Sequence, residues 1–484
     1  MAYLTPESFD LGSVYFYTNR MSVDNPNVDN KIDIKEGISE FSIYEHLGKA
    51  YLTAEMIYVD DLNLFEMPGI IGTERIQFNI STPLTESESN VFTTTKNFVI
   101  NGINKFNKHN EGTSVYHISL IEDHGYFNYV QKISKSYFGS GEDIIQTILK
   151  DNLKKEIDFE FNDGNPFRKS VQGDMRYNVP FLKPLDAVKA ILGKITTSHG
   201  MPYLLYSSIH SDKLIFTDLE TLLEKEPFNK DRAATFNPTM SYTSGNFIEQ
   251  MYNISKYSIT YSTAEDTLKL AQNGGLGFRY ENVDTNDGTY YNQSMNLRNF
   301  IVPWLENIFD KNALGFLVDD DVFDPDPSNQ NETNVSAPTL GDYNSQVYTT
   351  LKSSNFAPNK EKGINESRSF LNDVVRDATM HYLTKNVYDI EMAGMIWLAT
   401  DTSRSVGGQV NIAVNQDTGL STNQHNYSLT DDKRSGPHLI ITKRHLFTPH
   451  NKKTRVSVQV SRLANRVSKV GVRVVENQSL VGRV

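Results

Sequence analysis

The 484-residue sequence contains no cysteine and two tryptophans. Without thiols the fold cannot rest on disulfides or thiolate-bound zinc, and a cysteine nucleophile is excluded. No run of about 18 apolar residues occurs, so no membrane anchor is expected. The start, Met1-Ala2-Tyr3-Leu4-Thr5-Pro6-Glu7, lacks the basic and apolar regions of a secretory signal. Several enzyme motifs are missing too: G-x-S-x-G, the P-loop, H-E-x-x-H and G-x-G-x-x-G. A net charge of −12 repels a phosphate backbone and argues against a nucleic-acid binder.

What is abundant points to strands. There are 25 Tyr and 26 Phe among many Val, Ile and Thr, residues that suit a pleated, half-buried surface. The length suggests about three folding units. The charge is uneven: residues 433–484 carry a net +11, which against −12 for the whole chain leaves −23 on the other 432 residues. That asymmetry predicts a distinct contact made by the C-terminal end.

An internal duplication is visible. Residues 98–115 (FVINGINKFNKHNEGTSV) lie without gaps on 439–456 (LIITKRHLFTPHNKKTRV), with identities at Ile100/Ile441, Phe106/Phe447, His109/His450, Asn110/Asn451, Thr113/Thr454 and Val115/Val456. Upstream, residues 54–59 pair with 393–398, and 72–80 with 407–414. In the last pair Ile76, Phe78, Ile80 and Val410, Ile412, Val414 alternate, which places one side of each strand in a core. Each copy reads as a hairpin around the turn at 108–112 or 449–453. Beyond the turn Tyr116, Ile118 and Leu120 are one residue out of register with Val456, Val458 and Val460, a slip that a bulge would absorb. Two unrelated hairpins of similar composition are the alternative.

Between the copies the period changes to that of helices. Ser140 is placed as the cap of a helix burying Ile144, Ile145 and Ile148, and Pro184 opens another with Val188, Ile191 and Ile195 inward. Strands at 203–206 and 214–217 and a short helix at 219–224 complete a compact α+β module. Residues 265–364 are irregular, and the acidic run 319–338 reads as a contact loop or a mobile segment. From Asn365 a helical pattern resumes, with Phe370, Val374, Ala378 and Tyr382 inward.

Searching for chemistry yields little. Gly139-Ser140-Gly141 is a cap rather than a nucleophile, since no base stands at fixed spacing. His438, His445 and His450 fall near one hairpin and are expected to be exposed or to contact a partner. Asp319, Asp320, Asp321, Asp324 and Asp326 lack the spacing and turn glycine of a calcium loop, and 284–288 reads as a hairpin turn. No catalytic, cofactor-binding or metal-binding residue is assigned, and no enzyme is expected. The tail beyond Arg462 reads either as solvated or as an extended strand adding to a neighbour's edge.

Residues 68–76 (PGIIGTERI), 130–153 (VQKISKSYFGSGEDIIQTILKDNL), 179–216 and 436–445 (GPHLIITKRH) resemble the central baseplate hub proteins of T-even-type contractile phages. They are also similar to the hub halves of type VI secretion spike proteins. The resemblance implies a β-rich multidomain (α+β) fold: two similar tube-type β-barrel domains separated by a helix-containing module, plus an irregular insertion. The corresponding map is an N-terminal arm (1–37), a first tube domain (38–134), the module (135–227), a second tube domain (228–264 and 385–462), an insertion ending in a helix (265–384), and a basic extension (463–484). It further implies a virion tail baseplate component assembled in the host cytoplasm. That component would be a homotrimer meeting a tail tube protein, a separate spike protein and other baseplate proteins, with DNA passing through an acidic lumen without specific binding. A virion-associated cell-wall or capsule hydrolase and a receptor-binding tail protein are the rival readings. The duplication supplies matching arithmetic, since two units in three copies make six quasi-equivalent ones.

Overall fold

The computed structural model describes residues 5–17, 31–61, 74–82, 92–108, 113–160, 169–170, 173–198, 200–236, 247–260, 277–283, 290–296, 346–351, 356–358, 376, 379–380, 387–399, 401–414 and 435–461. The acidic run 319–338, the turns at 109–112 and 284–288, the extension 463–484 and nearly all of the helix expected from Asn365 lie outside them.

The first sheet contains β1 (Asp10–Tyr17), β2 (Lys31–Asp33), β3 (Ile38–His46), β4 (Thr53–Asp60), β5 (Arg75–Ser81), β6 (Thr93–Lys108) and β7 (Ser114–Glu122). They lie in the order β2-β1-β5-β6-β7-β4-β3, every pair antiparallel. Period-two patterning makes this possible: Ile76, Phe78 and Ile80 are fully buried, while the residues between them face outward.

The module begins with α1 (Asp123–Val130) and β8 (Ile133–Ser140). At α2 (Gly141–Ile148) the Ser140 hydroxyl accepts from Asp143 N at 3.2 Å and donates to Asp143 Oδ2 at 2.7 Å, so Ser140 is a helix cap. There follow β9 (Ile157–Phe159), β10 (Asp174–Leu182), α3 (Pro184–Leu192), β11 (Tyr203–Tyr206), β12 (Leu214–Asp218) and α4 (Leu219–Glu224). The apolar faces of α2 and α3 share a core with the stacked rings of Tyr203 and Phe216, 5.3 Å apart.

The second barrel contains β13 (Ala234–Phe236) and β14 (Asn253–Thr260), and four further strands after an insertion. In that insertion β15 (Gly277–Val283), β16 (Tyr290–Asn296) and β17 (Gln346–Leu351) form a small sheet, and β18 (Phe356–Pro358) pairs with β10. Val283 pairs with Tyr290, so β15 and β16 form the hairpin expected around 284–288. The chain returns through β19 (Val387–Ala393), β20 (Gln409–Ala413), β21 (Gly436–Thr448) and β22 (Lys453–Ser461). Order β13-β14-β19-β22-β21-β20 closes on β13, a six-stranded barrel. Taken in chain order, its strands repeat the arrangement of β1, β3, β4, β5, β6 and β7. The two sheets thus share one topology, although β13 runs parallel to both its neighbours.

Separated in sequence, the two sheets are joined in space, because β3 pairs with β21 to make one 13-stranded sheet. Three expectations change. The arm expected over 1–37 is instead, at Asp10–Tyr17, a full strand of the first sheet, because Leu11, Val14 and Phe16 bury in its core. Residues 54–59 form β4, but 395–397 form a 3₁₀ turn. Gly394 N donates to Thr454 O and Met395 N to Pro6 O, which turns the chain out of the ladder, and β4 corresponds instead to β19. Finally, Phe106 and Phe447 are not equivalent positions. Both β6 and β21 bulge once, after Ile100 and Ile440, and β6 bulges again after Ile103, so the sequence match runs out of register with the ladder.

Candidate functional site

Among the described residues, the strands of the two copies are joined through the β21–β22 hairpin. The edge of β21 that pairs with β20 over 436–439 pairs with β3 over 442–447. On the far side of the hairpin, Phe9 N donates to Lys452 O (3.3 Å) and Thr454 N to Glu7 O (2.6 Å). The hairpin therefore fills the gap between the N-terminal segment and β3, and closes the first barrel. Phe447 is its plug, stacked on Phe41 at 4.6 Å and tilted against Phe9 at 5.0 Å. Arg455 Nε meets Glu7 Oε1 at 2.9 Å on the same edge.

Beside this plug lies a buried ionic cluster. Lys443 Nζ is 3.0 Å from Glu45 Oε1 and 3.3 Å from His210 Nε2, and it donates to Arg404 O at 2.8 Å. Glu45 Oε2 accepts from Ser405 Oγ at 2.9 Å. His445 Nε2 stands 3.6 Å from Glu45 Oε1, too far for a hydrogen bond. Burial pushes the Glu45 carboxyl up, but the Lys443 ammonium and the two imidazoles outweigh it and hold it well below the usual range. Burial, reinforced by Lys443, lowers His445 to about 4 and takes His210 well below its ordinary value. Lys443 is itself lowered by burial, against the pull of Glu45.

Among the described residues, Glu45, His210 and His445 could offer a metal three ligand atoms within 4.8 Å of one another. Lys443 already provides the cation at that point, so the set reads as an ion-pair cluster. The histidine expectation needs correction: His438 and His445 are buried, not exposed, because both take inward positions of β21. Sequence reasoning missed Glu45, Lys443 and His210. The signal was present in the alternation, since Phe41 and Ile43 point inward and so must Glu45.

Two further carboxylates, the buried Glu122 and the half-buried Glu160, join the units. Glu122 Oε2 accepts from Leu52 N (2.9 Å) and Ser207 Oγ (2.8 Å), while Oε1 is 3.4 Å from Lys155 Nζ. Glu160 accepts from Tyr206 in the module and from Thr402 beside the second barrel, both at 3.1 Å, and pairs with Lys225 at 2.7 Å. Gly407, at φ +80°, passes against the module where a Cβ would lie 2.6 Å from Tyr206 Oη. These acids are committed to protein partners, unlike a glycosidase pair facing a cleft.

The outward face of the continuous sheet carries both signs. Glu40 faces Arg444 at 3.9 Å, Glu391 faces Arg455 at 3.7 Å, and Glu55 accepts from Tyr44 Oη at 2.8 Å.

No protein-family model and no curated protein sequence matches the chain. Solved structures of similar fold include a tail protein from Neisseria meningitidis MC58, with TM-score 0.48 and 9% identity over 94% of this chain and 96% of that one. Another is the 43 kDa tail protein of prophage MuSo2 from Shewanella oneidensis, with TM-score 0.45 and 8% identity over 93% and 98% of the two chains. A third is an Escherichia coli type VI secretion component, itself structurally similar to two T4 bacteriophage tail proteins, with TM-score 0.38 and 9% identity over 89% and 75%. At these scores each likeness is loose.

Proposed function

We propose that the chain is a structural hub of a contractile-tail baseplate. Three copies would form a pseudo-sixfold ring, with a hexameric tail tube on one side and a trimeric spike on the other. The observation that carries this reading is the fusion of two sheets of one topology, edge to edge, through β3 and β21. One chain is then two successive arcs of the same curved wall, and three chains supply six. Contacts with other baseplate proteins, and DNA passing through the ring without specific binding, belong to this proposal. Where carboxylates pair the arginines of the wall, as at Arg444 and Arg455, those cations are compensated and hold phosphates less.

The test is native mass spectrometry of the purified chain with negative-stain images. An annular trimer is the expected result. A monomer at micromolar concentration, with no ring in the presence of tube or spike protein, would overturn the proposal.

A further inference from the structure

The duplication makes one edge contact inside the chain and leaves its counterpart open. Bulges fix the equivalences. β3 bulges between Ile38 and Glu40, and β14 between Ile254 and Lys256, so Phe41 corresponds to Tyr257, Ser42 to Ser258 and Ile43 to Ile259. Following the ladders from β22 and β7, Lys443 corresponds to Ile103, His445 to Phe106 and Leu446 to Asn107.

Both open edges are visible. β6 pairs with β5 only as far as Val99, and among the described residues no strand covers the same edge over 101–108. β14 pairs with β13 only at Asn253 and Ile254, and among the described residues no strand covers that edge over 255–260. The side chains tell the same story. Lys443 and His445 are 1% and 0% exposed, whereas Ile103 and Phe106 are 42% and 48% exposed. Two large apolar groups thus stand in water where their counterparts are buried by an added strand. An uncovered strand edge with apolar side chains is a template for pairing with another chain.

We propose that the β6–β7 hairpin of one copy adds antiparallel to β14 of a second copy, in the register by which β21 adds to β3 within the chain. Phe106 then lies opposite Ile259, and Asn107 opposite Ser258. Lys108 takes the place of Phe447 and meets the Tyr257 ring as a cation over an aromatic face. The contact is head-to-tail, one hairpin and one edge per copy, so it closes into a ring or continues as a filament. This inference rests on the ring reading and names the contact that would close it.

The absence of cysteine permits a clean test. The double variant Asn107→Cys/Ser258→Cys places both thiols at exposed positions of the full-length chain. Mild oxidation should convert most of the protein into a covalent oligomer on non-reducing gels, while each single variant stays largely uncrosslinked. A companion variant, Ile103→Ser/Phe106→Ser, should weaken assembly at least tenfold in concentration dependence, with unchanged circular dichroism. If the wild type forms a ring but neither crosslink nor weakening is seen, the hairpin contact is wrong and the ring reading stands. If the wild type is monomeric under all conditions, both fall.

Discussion

Lys443→Met is the most informative single change within the chain. Lys443 Nζ has three partners, Glu45, His210 and the carbonyl of Arg404, in a site with no solvent exposure. Removing the ammonium leaves the Glu45 carboxylate buried with Ser405 as its remaining hydrogen-bond donor. Breaking a buried pair from one side costs about 3–5 kcal/mol, because the surviving charge keeps its desolvation cost and loses its partner. Burial then acts on Glu45 against the two imidazoles alone, so its carboxyl rises and the variant recovers part of the loss as pH falls. Replacing both partners, Glu45→Leu/Lys443→Met, should cost under about 1 kcal/mol or even stabilise. Urea unfolding followed by the fluorescence of Trp397, which is fully buried, measures this in a Trp304→Phe background. Additive losses in the double variant, or single losses below about 1 kcal/mol, would refute the reasoning.

The same cluster predicts a pH dependence. His445 is lowered to about 4 in the fold, so the unfolded chain takes up its proton first, and stability is complete above about pH 6.5. It falls by at most roughly 3 kcal/mol as pH drops from 6.5 through 4, at 1.36 kcal/mol per unit. Glu45, held below its ordinary value of 4.5, adds a further loss below that pH. His445→Gln should flatten the upper part of the curve, and an unchanged slope would show that other groups dominate. Phe447→Ala should cost about 3–5 kcal/mol and speed hydrogen exchange in β3 and residues 5–9 while sparing β14 and β19. Uniform acceleration would mean that the hairpin does not act as a local plug.

The elements were legible wherever a period was long enough to see. The alternation of Ile76, Phe78 and Ile80 and of Val410, Ile412 and Val414 identified β5 and β20, which occupy equivalent places in the two sheets. The match at Ala54 and Ala393 failed because composition repeats more readily than geometry. The chain leaves the ladder here through hydrogen bonds from Gly394 N to Thr454 O and from Met395 N to Pro6 O, and Pro6 lies almost 400 positions away. Phe106 and Phe447 misled for a different reason: the second bulge in β6 has no side-chain signature, yet it moves every later residue along the ladder by one. The cluster was half legible. An inward Glu45 follows from alternation, but His210 arrives from the module by tertiary contact alone.

The position of the cluster explains why a charge pair sits where leucines would be more stable. An edge contact made only of Ile43, Phe41 and Phe447 tolerates a slip of two residues, because such a slip keeps every side chain on its own face. Lys443 stands directly opposite Glu45 in the ladder. A two-residue slip would leave both charges buried and unpaired, at several kcal/mol. The pair also separates the two hairpins. β14 (Asn253–Thr260) contains no carboxylate, so along its described residues the Lys443 of the β21–β22 hairpin would find no partner. On β6 Ile103 replaces Lys443, so the β6–β7 hairpin would leave Glu45 unpaired at β3. Each hairpin is thereby matched to one edge, and discrimination comes from the mismatch as much as from the fit.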